Sequence, residues 1–340
     1  MKILLIMDPG IPIPPPLYGG HERLVYMFAV EYLSLGHEVT ILAGPNSLVA
    51  GTRTISFGKN NLKRSGLQKF KEVLFAWSFL IGNKNKFDVI HNFGRLAYLL
   101  PILNISSAKI MTYGREVAKK GIKLFNALPN NNVVYTACSD YCVSTGNVAG
   151  RWETVYNAID FSKYKLEEKI EDDAPLMFLG RMDQEKGLQT AIKIAKETSS
   201  VLLIGGNIPH TVENIGYFKE FIEPHFDGKQ IIYLGALNDE QKNFYLGKSK
   251  ALLFPIEWDE PFGMVMVEAM ACGTPVIGYS KGAVPEVIDQ NITGFYSNLY
   301  IDLVNRVKTV QQFERKKVRA TAEKKFSVSV IAKRYLSLVK

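Results

Sequence analysis

The chain alternates between short apolar runs and stretches in which apolar residues recur every three or four positions. In the first half the apolar runs lie at 2–7, 37–43, 87–93, 108–113 and 132–139, and a helical pattern at about 20–35 separates the first two. Each run is short and bounded by turn residues, which is typical of β-strands. Because the runs are continuously apolar, they favour parallel strands buried on both faces of a sheet.

The same alternation begins again in the second half. Strands are predicted at 175–181, 200–206, 230–235, 250–255 and 274–279, with helices at about 187–198 and 263–273. A polar, charge-dense stretch at 156–174 separates the two series. We therefore predict two doubly wound α/β domains, residues 1–155 and 156–325. A last helix at about 326–340, with apolar residues at 330, 331, 335 and 336, is expected to pack back on the first domain.

Composition is that of an ordinary globular protein, with 340 residues of which 47% are hydrophobic and 22% charged. No apolar run reaches the roughly 18 to 20 residues that cross a bilayer, and the start lacks the features of a signal peptide. A cytoplasmic location is expected. Cys138, Cys142 and Cys272 have no histidines near them at ligand spacing, so we expect structural thiols and no metal site.

Charge is unevenly distributed between the two halves. Residues 1–155 contain 17 Lys and Arg against 9 Asp and Glu, whereas the rest of the chain is balanced at 24 of each. A basic half suits nucleic acid, anionic lipid or a phosphorylated ligand. Because zinc-finger spacing, RNP-type aromatic motifs and heptads are all missing, nucleic acid is not expected as a partner.

Candidate ligand sites should follow the strands, because open α/β sheets bind ligands beyond the carboxyl ends of their strands. A proline-rich loop brings Gly19 and Gly20 to the start of a helix, where backbone N–H groups can approach an anion. The alternative is a plain turn, and the pattern is not the GxGxxG of a dehydrogenase. Arg181 and Lys186 flank a later helix start and could hold a diphosphate, unless they are two solvated surface cations.

Two carboxylates mark the stretch 257–278. Glu260 lies in a predicted strand-to-helix loop, and Glu268 lies eight residues on, inside an apolar helix, roughly 12 Å away at most along the axis. The backbone of Phe262, Gly263 and Met264 lies between them, where a phosphate would bind. A buried unpaired carboxylate costs several kcal/mol, whereas ribose hydroxyls donate the hydrogen bonds it needs. The alternative is a Glu268 paired with a neighbouring Lys or Arg.

Seven stretches, in order along the chain, resemble the retaining glycosyltransferases of family 4, whose GT-B fold has two facing Rossmann-like domains with a cleft between them. "EPFGMVMVE" resembles the family's E-x7-E signature. The others are "PPPLYGGHERLVYMFAVEYLSLGHEVTIL", "DVIHNF", "TACSDY", "VYNAID", "FLGRMDQEKG" and "AMACGTPVIGYSKGAVPEVI".

The resemblance implies a role for each matching residue. The first domain would bind the acceptor and the second a nucleoside-diphosphate sugar, without a metal ion or other cofactor. Arg181 and Lys186 would bind the diphosphate, Glu268 the ribose and Glu260 the donor sugar. The remaining implied contacts are the Phe262, Gly263 and Met264 backbone beside the sugar, Gly20 near the phosphates or the acceptor, and Leu234 to Leu237 along the base.

The chain departs from the family at one position. The family commonly has a histidine near residue 113, in a T-x-HG context close to the donor sugar, where this chain has "IMTYGREV". Tyr113 or Arg115 would occupy that neighbourhood, and Tyr is a poor base because its reference pKa is about 10. His91 is interpreted chiefly as structural, with a backup role at the site kept open. Gly19, His91, Tyr113 and Arg115 are thus the candidate acceptor or sugar contacts.

The expected function is transfer of a sugar, with retention, from a UDP- or GDP-linked donor to a hydroxyl of a glycan, lipid-linked or cell-envelope saccharide. Departure of the nucleoside diphosphate would leave an oxocarbenium-like sugar that the acceptor captures on the same face. Two alternatives stay open. One is a GT-B epimerase or hydrolase of nucleotide sugars, and the other is a catalytically silent scaffold subunit.

Residues 59–86 combine Lys59, Lys63, Arg64, Lys69 and Lys71 with the apolar run "VLFAWSFLI". One interpretation is a peripheral site on an anionic membrane, on its inner face, that presents the acceptor. The alternative is a core helix of the first domain with a solvated basic flank.

Overall fold

The computed structural model describes residues 1–16, 19–115, 117, 119–129, 131–208 and 211–339, with only the backbone of residue 212. The chain forms two compact units. Unit 1 comprises Met1–Ala158 together with Val328–Lys340, and unit 2 comprises Ile159–Ser327. The chain passes from unit 1 to unit 2 after Ala158 and back after Ser327. Both boundaries lie two or three residues after the predicted ones, which followed residues 155 and 325.

Unit 1 is built on a sheet of seven parallel strands. Their order is β3-β2-β1-β4-β5-β6-β7, so the direction of winding reverses between β1 and β4. The strands are β1 (Lys2–Ile6), β2 (Glu38–Ala43), β3 (Arg53–Ser56), β4 (Val89–Asn92), β5 (Ala108–Tyr113), β6 (Val133–Ala137) and β7 (Arg151–Thr154). Every residue of β4 and β6 is buried, as their continuous apolar runs predicted.

Helices cover both faces of this sheet. They are α1 (Gly20–Ser34), α2 (Gly66–Gly82), α3 (Lys119–Asn126) and α4 (Asp140–Gly146). On one face α1 contributes Phe28 and Tyr32 to the core, and on the other α2 contributes Ala76 and Leu80. No helix among the described residues is both long enough and apolar enough to cross a bilayer.

Unit 2 repeats the architecture with six parallel strands. Their order is β10-β9-β8-β11-β12-β13, which is the strand order of a doubly wound dinucleotide-binding fold. The strands are β8 (Leu176–Leu179), β9 (Leu202–Gly205), β10 (Ile231–Gly235), β11 (Ala251–Phe254), β12 (Val276–Tyr279) and β13 (Gly294–Ser297). The predicted fold class, two doubly wound Rossmann-like domains, is confirmed.

The helices of unit 2 are α5 (Leu188–Glu197), α6 (Val212–Tyr217), α7 (Asp239–Lys248), α8 (Met264–Ala271), α9 (Val284–Val287), α10 (Tyr300–Lys308) and α11 (Arg315–Phe326). The apolar helix predicted to carry Glu268 is α8, which buries Met266, Val267 and Met270. It ends just before Gly273, whose φ of 82° continues the chain out of the helix.

Three strands escaped prediction, and all three lie at sheet edges. β3, β7 and β13 have the sequences RTIS, RWET and GFYS, and most of their residues are only partly buried. An edge strand is paired on one side only, so its residues need not be continuously apolar. The pattern that identifies central strands is therefore weak here.

The stretch 156–174, predicted as a linker, lies mostly in unit 2 and is bound to it. The Arg319 guanidinium donates to the carbonyls of Tyr164 at 2.7 Å and Phe161 at 2.9 Å. Arg315, only 7% exposed, donates to the carbonyl of Glu167. Both arginines lie on α11, about 150 residues further along the chain. The polar composition of 156–174 therefore predicted a solvent-exposed linker, because the sequence does not show these contacts.

The last helix, α12 (Val328–Ser337), returns to unit 1. Ile331 and Tyr335 are buried in the same core as α1, and the Tyr335 ring meets Phe28 edge-on at 5.3 Å. Val330, predicted on the apolar face, is instead 40% exposed. The helix is shorter than the predicted 326–340, and Lys340 lies outside the described residues.

Cys138, Cys142 and Cys272 are buried thiols. Burial raises the pKa of Cys272 to about 12, so this thiol stays protonated and unreactive at neutral pH. Among the described residues there is no cluster of three His, Cys, Asp or Glu side chains that could hold a metal ion.

Candidate functional site

A cavity of about 340 Å³ lies in unit 2 at the carboxyl ends of β8 to β11. The winding of the sheet reverses between β8 and β11, which is where open α/β sheets bind ligands. The loops after these four strands line the cavity together with residues of α7 and α8. The lining residues are Leu179, Gly180, Lys186, Gly206, Asn207, Ala236, Leu237, Lys242, Phe254, Glu260, Gly263, Met264, Val265 and Glu268.

Glu260 is held at one side of the cavity by two donors. Lys186 Nζ lies 2.8 Å from Glu260 Oε2, and the Trp258 indole N–H donates to the same oxygen at 3.0 Å. The Lys186 ammonium also lies over the Trp258 ring, 4.6 Å from its centroid. The carboxylate is therefore kept in one orientation, with a cation beside it inside the cavity.

The backbone of the Glu260 loop is fixed by the chain after β12. The Ala283 N–H donates to the Glu260 carbonyl at 2.8 Å, and the Gly282 N–H donates to the Asp259 carboxylate at 3.1 Å. Gly282 has a φ of 52°, and a Cβ there would lie 2.4 Å from the Glu260 carbonyl oxygen. Only glycine permits this close approach, which places the loop containing Glu260 directly against the chain after β12.

Glu268 lies on α8 and is paired with Lys242, a residue that the sequence analysis did not name. Lys242 Nζ lies 3.3 Å and 3.4 Å from its two carboxylate oxygens and 3.0 Å from Asp239. Burial lowers the pKa of Lys242, but the two carboxylates outweigh burial and raise it overall. Burial and the negative Glu268 likewise raise the pKa of Tyr164. Glu268 is thus ion-paired, as its alternative interpretation expected, and both partners also line the cavity.

Lys242 could have been found from a local signal. Asn238 and Gln241 form a capping box, which predicts a helix start in "NDEQK" and places Lys242 on its first turn. What the sequence does not contain is the proximity of this turn to α8.

The amino-terminal end of α8 opens on the cavity through Gly263, Met264 and Val265. Gly263 caps this helix with a φ of 82° and no side-chain hydrogen bond. The first N–H groups of a helix lack intrahelical acceptors and carry partial positive charge. The Phe262 side chain does not line the cavity, because its ring is buried against Phe326 at 5.7 Å.

The two predicted phosphate cations lie in different surroundings. Lys186 lines the cavity and its side chain is 17% exposed. Arg181 does not line it, because its guanidinium is 62% exposed and pairs with Asp183 at 2.7 Å and Glu185 at 3.2 Å. The structure therefore brings only one of the two cations to the cavity.

Of the residues predicted along the nucleobase, Leu237 lines the cavity together with Ala236, whereas Leu234 does not. Leu237 packs over β9, since a Cβ built at Gly205 would lie 2.6 Å from Leu237 Cδ1.

In unit 1, Gly19 and Gly20 begin α1 as predicted. A side chain at Gly19 would collide with Pro15, whereas a Cβ at Gly20 would meet no atom of the described residues within 4 Å. Glu22, on the first turn, is buried beside Gly19, and burial raises the pKa of its carboxyl. Gly20 thus lies at the carboxyl edge of the sheet with no described atom where its side chain would be.

His91 is a core residue, which corrects its inclusion among the candidate contacts. It is 1% exposed, its Nε2 lies 2.7 Å from Thr112 Oγ1, and its ring lies 4.1 Å from that of Phe93. Burial lowers its pKa to about 3, so the imidazole is neutral. Such a side chain offers no surface to an acceptor.

Tyr113 and Arg115 follow β5 but differ in their surroundings. Tyr113 packs on Trp152, with ring centroids 5.9 Å apart, and burial raises its pKa. Arg115 is exposed. Between them, the space that a side chain at Gly114 would occupy is taken by the imidazole of His21 from α1. Sequence reasoning missed His21, because nothing local links α1 to the end of β5.

Residues 160–325, nearly the whole of unit 2, match the family model described as glycosyl transferases group 1. Over 286 residues the chain is 25% identical to an uncharacterized 41.2 kDa protein in the cps region of Klebsiella pneumoniae, a match covering 78% of this chain and 74% of that protein. Over 128 residues it is 32% identical to a phosphatidyl-myo-inositol mannosyltransferase of Propionibacterium freudenreichii. That second match covers 35% of this chain and 29% of the relative.

Among solved structures, HepE of Anabaena in complex with UDP aligns with a TM-score of 0.73 and 17% sequence identity. The alignment covers 100% of this chain and 99% of that one. The likeness establishes the fold, which is of the GT-B class.

Proposed function

We propose that this protein is a retaining glycosyltransferase of family 4, because residues 160–325 match the model of the group 1 glycosyl transferases and the fold is of the GT-B class. It transfers a sugar from a UDP- or GDP-linked donor to a hydroxyl of a saccharide, without a metal ion or other cofactor. The observation that carries the proposal is the cavity of unit 2. It is lined by Lys186, by the amino-terminal end of α8 and by two separate carboxylates, Glu260 and Glu268.

The donor is assigned to this cavity by matching charges. Its volume of about 340 Å³ lies within the roughly 300 to 1,000 Å³ usual for small-molecule sites. The diphosphate binds at the amino-terminal end of α8 beside Lys186, because both are positive. Glu268, oriented by Lys242, accepts hydrogen bonds from the ribose, and Glu260 accepts them from the sugar. The related HepE structure contains UDP, which supports a nucleotide here.

The chemical step needs stabilisation of the departing nucleoside diphosphate. Lys186 and the α8 dipole supply it where negative charge develops, and they replace a divalent ion. As the bond between the sugar and the phosphate breaks, the acceptor hydroxyl attacks the same face of the sugar and its proton passes to the departing phosphate oxygen. The configuration is thereby retained without a protein nucleophile. Arg181 binds the phosphate after its guanidinium leaves its ion pairs with Asp183 and Glu185.

The acceptor is proposed to be a lipid-linked or cell-envelope saccharide reached from the inner face of a membrane. The outward side of α2 supports this. Leu67, Phe70, Leu74 and Ile81 are 64%, 57%, 43% and 53% exposed, and their spacing places them in one stripe along the helix. The core-helix interpretation of this segment holds only for its inner side.

Exposed lysines precede, interrupt and follow this apolar stripe along the chain, whereas Arg64 is mostly buried and paired with Asp8 and Glu72. Residues 59–86 carry seven Lys and Arg against a single acidic residue, Glu72, which is buried. Lysines near an anionic surface contribute about 1 kcal/mol each, and apolar side chains that enter the interface add to this. The stripe with its lysines therefore fits an anionic bilayer.

Nucleotide binding is the direct test of the proposed donor site. Melting temperatures measured with UDP, GDP and their sugars should rise for one nucleotide by several degrees, because a ligand at a hundred times its Kd stabilises by about 2.7 kcal/mol. Glu268→Gln should weaken binding about tenfold or more, since hydrogen bonds to a charged group are lost. Glu240→Gln, an exposed neighbour on α7, is the matched control. A protein that responds to no nucleotide would remove the donor assignment.

Product analysis separates transfer from the alternatives. Incubation of the stabilising nucleotide sugar with and without octyl glycosides should yield an α- or β-linked product whose anomeric configuration equals that of the donor. Free sugar or an epimerised nucleotide sugar as the main product would indicate a hydrolase or an epimerase, and binding without turnover would indicate a silent scaffold.

Membrane binding is tested by co-sedimentation with phosphatidylglycerol-containing vesicles, which should bind the protein at low salt and release it as salt rises. Phe70→Glu and the triple variant Lys63→Gln/Lys69→Gln/Lys71→Gln should each reduce the bound fraction several-fold. The triple variant Lys316→Gln/Lys317→Gln/Lys324→Gln removes the same charge from exposed positions of unit 2 and should bind normally. Equal binding to neutral vesicles, or equal loss in both triple variants, would contradict the docking surface.

A further inference from the structure

The imidazole of His21 occupies an unusual position at the carboxyl edge of unit 1. His21 lies on the first turn of α1, yet its ring reaches the end of β5. A Cβ built at Gly114 would lie 1.8 Å from His21 Nε2, 2.7 Å from Cε1 and 2.9 Å from Cδ2. The ring therefore fills the space that any side chain at position 114 would need, and it can do so only because residue 114 is glycine.

The state of this ring distinguishes it from a structural histidine. His91 is fully buried and bonded to Thr112, whereas His21 is only partly buried and has no hydrogen-bond partner among the described residues. Burial, followed by the positive Arg115, lowers the pKa of His21 below its usual 6.5. At neutral pH the ring is uncharged, so one nitrogen can accept a hydrogen bond and the other can donate one.

The surroundings of the ring suit a small polar ligand. A Cβ at Gly20, next to His21 on α1, would meet no atom of the described residues within 4 Å, and Gly114 contributes no side chain. Tyr113, the neighbouring polar side chain on β5, is turned onto Trp152. The exposed guanidinium of Arg115 lies beside the ring. Two glycines and an imidazole that bonds to none of the described residues thus meet at the strand ends, where doubly wound domains bind ligands.

We propose that His21 contacts the saccharide acceptor in unit 1, where its imidazole hydrogen-bonds an acceptor hydroxyl. The inference rests on the proposed function and goes beyond it by naming a residue that determines acceptor binding. His21 orients the hydroxyl and takes no proton from it, since that proton passes to the departing phosphate.

A cycle of four proteins tests this contact: the wild type, His21→Ala, Gly114→Ala and the double variant. His21→Ala should lower kcat/KM for the best octyl glycoside acceptor about tenfold, mainly through a higher acceptor KM, with the donor KM and melting temperature unchanged. His21→Asn should recover part of the loss, because an amide also donates and accepts. Gly114→Ala should cause a similar loss by displacing the ring, and it should add little to His21→Ala, where the methyl group has room.

A spectroscopic measurement makes the test independent of turnover. The chain contains five histidines, and the His21 Cε1–H signal is the one absent from the His21→Asn spectrum. Adding the octyl glycoside should shift this signal and leave that of His37, which follows the opposite end of α1, unchanged.

The proposal is overturned if the His21 signal does not move and His21→Ala keeps its acceptor KM, or if Gly114→Ala costs as much with His21 absent as with it present. Failure of the proposed function looks different, because the wild type would then bind no nucleotide and transfer no sugar.

Discussion

The double variant Arg181→Ala/Lys186→Ala is expected to lose at least about a thousandfold in kcat at saturating donor. Each preorganised donor or cation aimed at developing charge typically contributes about 10² to 10³, and these two are the cations proposed to receive the departing diphosphate. The measurement is steady-state turnover of the nucleotide sugar, with the melting temperature checked for each protein.

The single variants should not be equivalent. Lys186 lines the cavity 2.8 Å from Glu260, so Lys186→Ala is expected to account for most of the loss. Arg181 must first leave Asp183 and Glu185, so part of its attraction for phosphate is offset and Arg181→Ala should cost less. Lys229→Ala, at an exposed position before β10, serves as the control for removal of a charge from unit 2. Unchanged turnover in the double variant would take both cations out of the mechanism.

Gly206→Ala is expected to destabilise unit 2 by about 2 to 6 kcal/mol, combining backbone strain with overpacking. Gly206 has a φ of 150°, and its Cβ would lie 1.7 Å from the carbonyl oxygen of Gly180. Neither backbone can move without breaking the β8–β9 pairing, because Gly180 N–H donates to Gly205 at 3.0 Å. Thermal unfolding and hydrogen exchange of the β8 and β9 peptides measure the loss.

Gly180→Ala is the matched control for that substitution. Gly180 lines the same cavity, but a Cβ there would approach only the Phe178 ring, at 3.8 Å, which is ordinary contact. Its stability should stay within about 0.5 kcal/mol of the wild type. Similar destabilisation by the two substitutions would show that the close approach of Gly206 to Gly180 is not what requires glycine.

The central strands could be predicted because burial on both faces imposes a local signature. β4, β6 and β11 lie between two neighbours and two layers of helix, so every residue of each is buried and most of these residues are apolar. The edge strand β3 has no such constraint, and neither has the exposed side of α2. Prediction succeeded where consecutive residues are all buried. It failed where buried and exposed residues follow one another in the same element.

The candidate site divides in the same way. The spacing of Glu260 and Glu268 is a property of one loop and one helix, so both lie at the cavity as the pattern indicated. The partner of Glu268 comes from α7, and the bonds that bind residues 161–167 to unit 2 come from α11. These contacts join segments that are distant along the chain, and no local period reports them.

The histidines show the limit most plainly. His91 follows an apolar run at a strand end, which made it a candidate contact, yet α12 closes over it from the far end of the chain and Tyr335 packs 4.4 Å from its ring. His21 had no motif of its own, yet α1 brings it to Gly114 at the end of β5.

Sequence alone established the two doubly wound domains, the ends of the strands where a ligand would bind, and the order of charges along the loop from Glu260 to Glu268. Each follows from the periodicity of neighbouring residues, which burial and backbone geometry impose locally. Only the tertiary structure decided which of the two predicted cations lines the cavity, which lysine pairs with each carboxylate and which histidine lies partly buried at the strand ends. Those outcomes depend on contacts between segments that are far apart in the sequence, such as His21 with Gly114 and His91 with Tyr335.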